Sequence, residues 1–401
     1  MRDTIPVTVL SGALGAGKTT TLNHVLTADH GYEVAVLVND MGEVNVDVDH
    51  VEQQSELSQS DEEIIEMSNG CICCRLRGDM LDAVGALVEN REFDYLLVES
   101  SGFSEPIPVA QTFALGFEDS EYDPTEDYHL DTMVSVVDAH AMYQGFDSGT
   151  TLVDEDAAGG TDRVPEAVLM DQIEFCDVLL LNKCDLVPDG ELEEIEAVLE
   201  TLQPRAKIVR TEFGSIDPNG ILDTGRFDFE EAQNAAGWKH ELEEGHHHDA
   251  ADEHGVESFV FRADRPVHPE RFAALLEELP SAVIRAKGFF WSAGREDIAM
   301  GLDKAGQSVR AGPNGRWIAT LPPEQQERYK QRVPGLAEEW DETWGDRGVE
   351  LVFIGRGYDA EPLRDELESA LLTGEEMDDD WDRYPDPFGT DGQRELALAD
   401  D

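Results

Sequence analysis

The sequence predicts an α/β protein in which a mostly parallel β-sheet is covered by helices and is followed by a smaller α+β domain. Short, β-rich apolar runs recur through the first half of the chain, and helical or polar segments separate them. A second set of strand-like and helical runs follows a polar stretch. With 401 residues, 40% of them hydrophobic, the chain is long enough for two domains with buried cores.

The candidate strands of the first domain are apolar on both faces, which is typical of a parallel sheet with helices on both sides. They are Pro6–Ser11, Val34–Val38, Tyr95–Val98, Met133–Val137 and Val178–Leu181. A glycine-rich turn follows the first strand, and a helical pattern then runs from Thr19 to Thr27. This first domain is predicted to span residues 1–218.

The remainder of the chain divides into a linker, a second domain and a tail. Residues 219–257 are polar, which predicts a linker, and residues 258–374 form the predicted second domain. Its predicted strands are Ser258–Arg262, Ala282–Trp291, Arg316–Thr320 and Leu351–Ile354, and its predicted helices are Pro269–Glu278 and Glu361–Leu372. Residues 375–401 are acidic and then contain Pro and Gly, which predicts a disordered tail.

The composition is strongly acidic, with 88 Asp and Glu against 29 Lys and Arg and a formal net charge of −59. Nucleic acids and anionic membranes are therefore not expected as partners. The acid excess is spread along the chain, and only seven of the basic residues are Lys. Such a surface predicts an extreme halophile, because a Debye length of ~3 Å in 1 M salt screens the self-repulsion.

The sequence predicts a cytoplasmic protein. It contains no run of eighteen apolar residues, and its N-terminus lacks a signal-peptide cleavage pattern. Five Cys, three of them within residues 71–74, do not form a disulfide framework in a reducing compartment. Metal or redox chemistry is therefore the better interpretation of the clustered thiols.

Residues 12–19 have the sequence Gly-Ala-Leu-Gly-Ala-Gly-Lys-Thr, which matches G-x-x-x-x-G-K-[ST] between a predicted strand and a predicted helix. This context predicts a P-loop NTPase fold in preference to an ordinary glycine-rich turn. Lys18 is expected to bridge the β- and γ-phosphates, and the Thr19 hydroxyl to bind Mg²⁺. The residues expected to surround the phosphates are Gly12, Gly15, Ala16, Gly17, Lys18, Thr19 and Thr20.

A second nucleotide motif, Asn182-Lys183-Cys184-Asp185, has the pattern N-K-x-D and directly follows a candidate strand. The Asp185 carboxylate can accept hydrogen bonds from both N1–H and the 2-amino group of guanine, whereas adenine lacks this pair of donors. Asn182 is expected to hold the loop and the base, and Lys183 to pack along the ring. The tetrapeptide alone is also compatible with a helix N-cap, but after a P-loop it favours GTP over ATP.

An acid, Glu99, ends the strand at Tyr95–Val98 and precedes Ser100-Ser101-Gly102. A carboxylate at this place can order Mg²⁺-bound water or the attacking water, and Gly102 lets the backbone approach the γ-phosphate. The alternative is an acid that only caps the strand. Lys18, Thr19 and Glu99 are the candidate catalytic residues.

Three thiols, Cys71, Cys73 and Cys74, lie within four positions. Thiolates are soft ligands that suit Zn²⁺ or Cu⁺, and three of them leave a fourth tetrahedral position open. Water, the carboxylate of Glu43 or a receiving protein would fill that position. Redox disulfide chemistry is the alternative, although the vicinal pair would be strained.

Other candidate metal ligands are less specific. Glu43 follows the second strand and would reach either Mg²⁺ or the transferred metal, but acids are common along this chain. The run His246-His247-His248 would collect Zn²⁺ or Ni²⁺ weakly, or serve as a solvated spacer. Cys176 and Cys184 are interpreted as core or loop residues.

The motifs occur in an order that resembles the CobW-like family of P-loop GTPases. The discriminating element is the G-C-x-C-C sequence of Gly70–Cys74, and Arg285–Trp291 looks like the family's C-terminal domain, so the likeness covers roughly residues 5–373. Asn39-Asp40-Met41 and Gly345-Asp346-Arg347 are similar to the zinc-related subgroup. The resemblance implies a GTP-hydrolysing metallochaperone, with Mg²⁺ at Thr19, that delivers a metal, most often zinc, to a client protein.

Two other functions stay open on the sequence alone. One is a non-catalytic zinc buffer whose P-loop is regulatory. The other is a cobalt- or iron-delivery factor for corrinoid or nitrile hydratase assembly, because thiolate sites bind both zinc and cobalt. The sequence names neither the client protein nor the oligomeric state.

Overall fold

The computed structural model describes residues 4–39, 64–67, 81, 83–88, 93–102, 104–116, 122–148, 165–234, 236–239, 255–333, 335–338, 340–389 and 394–396. The chain forms two compact units, Met1–Gly237 and Trp238–Asp401. Each has its own sheet and its own hydrophobic core.

The sheet of the first unit has seven strands, all parallel. They are β1 (Ile5–Gly12), β2 (Val34–Asn39), β3 (Ile64–Met67), β4 (Tyr95–Glu99), β5 (Tyr128–Asp138), β6 (Val178–Asn182) and β7 (Lys207–Arg210). The spatial order is β3-β2-β4-β1-β5-β6-β7, so β1 lies between β4 and β5. Because the strands are parallel, their carboxyl ends meet at one edge, which is where ligands bind in open α/β sheets.

Helices cover both faces of this sheet, as the apolar character of its strands requires. They are α1 (Lys18–Thr27), α2 (Pro106–Ala114), α3 (Ala139–Ser148), α4 (Pro165–Glu174), α5 (Asp189–Leu202) and α6 (Phe229–Asn234). Val9 belongs to the hydrophobic cluster on one side of the sheet and its neighbour Leu10 to the cluster on the other. In the part of the chain that the structure describes, no helix is long and apolar enough to cross a membrane.

All five strands predicted for the first domain are present. Two further strands, β3 and β7, are short and lie at the two edges of the sheet. In β7 the residues Lys207–Arg210 are exposed or half-buried, so this strand lacks the apolar run that marks the central ones. An edge strand needs less hydrophobic surface, and its sequence therefore gives a weaker signal.

The predicted boundary at residue 218 was too early. Ile221 and Leu222 are buried in the core of the first unit, and the N–H groups of Thr224 and Gly225 donate to the carboxylate of Asp131 at 2.9 and 2.8 Å. Residues 219–234 are thus attached to the sheet, although their polar composition is that of a linker. The later part of the predicted linker, residues 240–254, lies outside the described residues.

The second unit contains an antiparallel sheet of six strands. The strands are β8 (Val256–Ala263), β9 (Val283–Phe290), β10 (Ile298–Ala305), β11 (Ser308–Arg316), β12 (Val349–Arg356) and β13 (Arg394–Leu396), in the order β13-β11-β10-β9-β12-β8. The helices are α7 (Pro269–Glu277), α8 (Pro323–Arg332) and α9 (Ala360–Ala370). Its core is rich in aromatic side chains, including Phe259, Phe272, Phe290 and Phe353.

The α+β class of this unit is confirmed, but one predicted strand is wrong. Arg316 ends β11, and Ile318–Thr320 form a 3₁₀ turn because Asp346 accepts the N–H groups of Ile318 and Ala319 at 2.8 Å each. The β10–β11 hairpin itself was missed. Its strands contain Gly301, Gly312 and Pro313, which interrupt the apolar pattern expected of a strand.

The tail was predicted to be disordered, and the structure shows that it packs on the second unit. Phe388 is completely buried, with its ring 5.3 Å from that of Phe290, and β13 pairs with β11. Glu376 accepts two hydrogen bonds from Arg271, each 2.8 Å long. A few apolar contacts hold the segment on the second unit. The prediction rested on the average acidic composition of the tail, in which these few apolar residues do not stand out.

Candidate nucleotide-binding site

The glycine-rich loop joins the carboxyl end of β1 to the first turn of α1 at the ligand-binding edge. Three of its glycines have positive φ: Gly12 at 142°, Gly15 at 76° and Gly17 at 109°. A Cβ at Gly12 would clash with the carbonyl of Val136, and one at Gly17 with the Asn182 amide. The loop therefore needs glycine both for its dihedral angles and for the close approach of its neighbours.

Helix α1 begins at Lys18, and no side chain caps its N-terminus. The first N–H groups of a helix and its positive dipole end form an anion site. Ala16 is buried behind the loop, whereas Thr20 is exposed on the first turn. This arrangement matches what a loop that surrounds phosphates requires.

Lys18 lies across its own loop. The side chain is 7% exposed, and Nζ donates to the carbonyl oxygens of Gly12 and Ala13 at 2.9 and 3.1 Å. These two bonds fix the ammonium at the mouth of the loop. A positive charge is thereby placed where the sequence predicted phosphate contacts.

Glu99 and Thr19 meet because β4 lies beside β1, with Leu10 opposite Glu99 in the register. The Thr19 hydroxyl donates to Oε1 of Glu99 over 2.8 Å, and Glu99 is 4% exposed. A hydroxyl and a carboxylate side by side are the oxygen ligands that Mg²⁺ prefers. A Cβ on Gly102 would lie 2.8 Å from the N atom of Leu14, so the segment after β4 also touches the glycine-rich loop.

Asn182 connects three segments of the site. Its Nδ2 donates to the carbonyl of Ala16 over 2.8 Å, and its Oδ1 accepts from the Thr211 hydroxyl and the Gly214 N–H at 3.1 and 3.0 Å. Asn182 is 2% exposed, so these bonds are shielded from water. The two predicted nucleotide motifs, 166 positions apart along the chain, are in direct contact.

Lys183 adopts a left-handed backbone conformation with φ of 62°, and its ammonium forms a 2.6 Å ion pair with Asp138. Asp138 ends β5, and its other oxygen accepts the N–H groups of His140 and Ala141 in the first turn of α3. Asp138 therefore holds Lys183 from a neighbouring strand end. Sequence reasoning missed it, although an acid between a candidate strand and a helical segment was a usable signal.

Asp185 lies in the 3₁₀ turn Cys184–Leu186 and is exposed at the edge of the site. A backbone hydrogen bond holds the turn in place, since the Cys184 N–H donates to the Thr211 carbonyl over 3.3 Å. The segment from Thr211 to Gly214 was not predicted to take part. It follows β7, the edge strand that the apolar pattern did not reveal.

The predicted transition-metal ligands Cys71, Cys73, Cys74 and Glu43, and the run His246-His247-His248, lie outside the described residues. Among the residues that are described, no group of three or more His, Cys, Asp or Glu is placed to hold a metal ion.

The two remaining cysteines have structural positions. The thiols of Cys176 and Cys184 are buried and donate to the carbonyls of Ile173 and Leu181. Burial raises the pKa of both thiols, so both stay protonated at neutral pH, which disfavours metal binding. Their interpretation as core or loop residues agrees with these contacts.

Two family models match the chain, one for each unit. Residues 6–210 match the nucleotide-binding domain described as CobW/HypB/UreG, and residues 256–371 match the cobalamin synthesis protein CobW C-terminal domain.

Relatives with similar sequences cover most of the chain. The zinc-regulated GTPase metalloprotein activator 1 of Dictyostelium discoideum is 38% identical over 98% of this chain and 85% of its own length. The zinc chaperone YjiA of Escherichia coli is 30% identical over 90% of this chain and 96% of its own. The chain therefore belongs to the CobW/HypB/UreG family of P-loop GTPases, and its second unit is the C-terminal domain of the CobW members.

Proposed function

We propose that this GTPase is a metallochaperone that binds a transition metal, zinc in the first place, at Cys71, Cys73 and Cys74. It then transfers the metal to a client protein in a way that depends on the bound nucleotide. Relatives that align with most of the chain are named as a zinc-regulated metalloprotein activator and a zinc chaperone. The thiol cluster supplies the donor atoms that zinc prefers.

In this proposal GTP occupies the loop between β1 and α1. The glycine-rich backbone and the first turn of α1 hold the phosphates, and the Lys18 ammonium, already fixed by Gly12 and Ala13, faces the β- and γ-phosphates. Asp185, exposed at the edge of the site, accepts hydrogen bonds from guanine. The lining is the one predicted from the sequence, including Gly15, Ala16, Gly17 and Thr20.

The Thr19 hydroxyl and the Glu99 carboxylate fit Mg²⁺ because both offer oxygen atoms, which are the ligands that this ion prefers. When bound, Mg²⁺ supplies positive charge to the phosphate oxygens. Thr19 would hold the ion directly, and Glu99 would order the water around it or the water that attacks the γ-phosphate. The Thr19–Glu99 hydrogen bond already keeps the two oxygens together for this role.

The observation that carries the metal part of the proposal is the common edge of the parallel sheet. β2 precedes Glu43 and β3 precedes the thiols, and both strands end at the edge that bears the glycine-rich loop. β3 lies three strands from β1, which is about 14 Å at the usual spacing. Cys71 follows the end of β3 by four residues, a chain length that spans up to about 14 Å, so the sequence separation allows the thiols to reach the γ-phosphate.

Coupling between the two sites is the test of this proposal. Zn²⁺ affinity is measured by competition in molar KCl with GDP and with a non-hydrolysable GTP analogue. The two affinities should differ by a coupling of about 1–3 kcal/mol, and Zn²⁺ should alter nucleotide affinity by the same factor. Replacing all three cysteines with Ser should remove tight Zn²⁺ binding and leave GTP binding intact.

Equal Zn²⁺ affinities in the two nucleotide states would reduce the protein to two independent sites and contradict the transfer mechanism. A protein that binds zinc tightly but does not turn over GTP would instead be a zinc buffer. Tighter binding of Co²⁺ than of Zn²⁺ in the same competition would favour delivery of cobalt.

The working environment is part of the proposal. A net charge of −59 and clustered thiols suit a reducing, salt-rich cytoplasm. The melting temperature should rise steeply from dilute buffer to molar KCl, because salt screens the repulsion among carboxylates. A melting temperature indifferent to KCl would overturn the halophilic origin and leave the nucleotide chemistry untouched.

A further inference from the structure

Phe213 combines two features that a phenylalanine rarely shows together. Its side chain is 73% exposed, although aromatic side chains usually gain stability from burial. Its φ is 53°, in the left-handed region that residues with a Cβ adopt only at a cost. Neither packing nor backbone geometry explains a phenylalanine here, and strained residues of this kind cluster at ligand sites.

The backbone on both sides of Phe213 is fixed to the predicted guanine motif. Thr211 donates its N–H to the Leu181 carbonyl over 2.8 Å and accepts from the Cys184 N–H. On the other side, the Gly214 N–H donates to Oδ1 of Asn182 over 3.0 Å. Phe213 is therefore presented at the apex of a short loop whose two ends are anchored on residues 181–184.

The same loop also touches the phosphate side of the site. A Cβ on Gly214 would lie 2.7 Å from the backbone N of Thr21 in helix α1, so only glycine permits this approach. Gly214 has a φ of 67°, and the loop thus contains two consecutive left-handed residues. This geometry places the Phe213 loop between the first turn of α1 and the N-K-x-D turn, where the purine of a bound nucleotide must lie.

We propose that Phe213 forms one wall of the purine site and stacks on the face of the base. The inference rests on the nucleotide site proposed above, to which it adds a contact outside both sequence motifs. Stacking uses the π-face that every purine has, so Phe213 contributes affinity and Asp185 contributes the choice of guanine. Lys183, held by Asp138, is the expected contact on the other face.

The experiment compares Phe213→Asn with Phe213→Tyr. Asn tolerates the left-handed conformation and removes the ring, whereas Tyr keeps the ring. Dissociation constants are measured in molar KCl for GDP, ADP and ribose 5-diphosphate, which lacks a base. Phe213→Asn should weaken GDP and ADP by a common factor of about tenfold, the order expected for one stacked base, and leave ribose 5-diphosphate unchanged. Phe213→Tyr should bind all three ligands as the wild type does.

Wild-type affinity for GDP in the Asn variant would overturn the proposal. An equal loss for ribose 5-diphosphate would also overturn it, since the effect would then come from a distorted loop. A failure of guanine selectivity is a separate result: equal binding of GDP and ADP by the wild type contradicts the role of Asp185. The stacking inference is tested only by comparing the change in affinity for GDP and ADP with the change in affinity for ribose 5-diphosphate.

Discussion

The two units bury polar groups for different purposes. In the nucleotide unit, Lys18, Glu99 and Asn182 are buried at the carboxyl ends of parallel strands, where their bonds shape a cradle open to a ligand. In the second unit, Arg285 pairs with Asp303 on the adjacent strand, and buried Lys304 donates to the carbonyl of Gly306.

The difference follows from topology. A parallel sheet brings all its strand ends to one edge, so distant parts of the chain converge on one site. An antiparallel sheet turns back on itself, so its polar groups find partners along neighbouring strands. Buried charged residues at the ligand-binding edge of the first sheet therefore shape a site, whereas Arg285, Asp303 and Lys304 in the second unit hold the framework together.

The largest test of this contrast is Lys18→Met, which keeps most of the buried side-chain volume and removes the charge. Hydrolysis of GTP should fall by about a thousandfold, equivalent to ~4 kcal/mol, because the role proposed for the ammonium is to stabilise charge on the transferred phosphate. Turnover is measured in molar KCl. The melting temperature of the variant should equal that of the wild type. Lys207→Ala, an exposed lysine in the same unit, is the matched control, and unchanged turnover in Lys18→Met would refute the phosphate role.

A change in the second unit should act on stability alone. Phe388→Ala removes a fully buried ring that contacts Phe272 and Phe290, so that unit should lose about 3 kcal/mol. Hydrogen exchange resolves the two units, and GDP affinity should not change. Val333→Ala, exposed in the same unit, should have no effect. A stable Phe388→Ala protein would mean that the tail is not a structural part of the second unit.

The pH dependence of the two units should have opposite signs. Burial raises the pKa of Asp177 to about 6, so the first unit loses stability as pH rises from about 4 to 6, on the order of 2 kcal/mol. The Arg271 hydrogen bonds lower the pKa of Glu376 to about 2. The stability that ionised Glu376 gives to the second unit is therefore present above about pH 4.5 and is lost as pH falls towards 2.

Hydrogen exchange between pH 2 and 6, corrected for the intrinsic effect of pH, measures both slopes: that of the first unit between about pH 4 and 6, and that of the second unit between about pH 2 and 4.5. Asp177→Asn should flatten the slope of the first unit, and Glu376→Gln that of the second at lower pH. Parallel slopes in the two units of the wild type would contradict the assignment of these carboxyl groups.

The smallest effect is expected from Asp138→Asn, which keeps an oxygen to cap α3 and removes the charge beside Lys183. GTP affinity should fall about fivefold, or ~1 kcal/mol, while kcat at saturating GTP stays constant. Asp189→Asn, exposed on α5, is the control. A fall in kcat without a change in affinity would show that Asp138 does not act through the base-binding side.

The sequence was informative where chemistry restricts residue type. The tight glycine loop at Gly12–Thr19 was predictable because such a turn admits few residue types, and the guanine role of Asn182–Asp185 stays a prediction that rests on the same kind of restriction. The contact of Asn182 with Ala16 was not predictable, since no spacing rule relates positions so far apart.

The residues that were missed depend on tertiary context. Phe213 is marked by its φ and its exposure, and neither appears in a sequence. Asp131 binds the N–H groups of Thr224 and Gly225 and turns an apparent linker into part of the sheet. In the tail, buried Phe388 outweighs a run of exposed acids, so composition alone gave the wrong answer.

The central position of β1 has a consequence for biosynthesis. Its partners are β4, where Val7 lies opposite Leu96, and β5, where Leu10 lies opposite Val134, so they are translated about 90 and 120 residues later. At about 5–20 residues per second, β1 waits at least about six seconds after its own synthesis before both of its partner strands have been translated. During that interval its unpaired edges are open to association with other nascent chains. The acidic segments translated in between keep such chains apart by charge repulsion, but only to the extent that the surrounding salt permits.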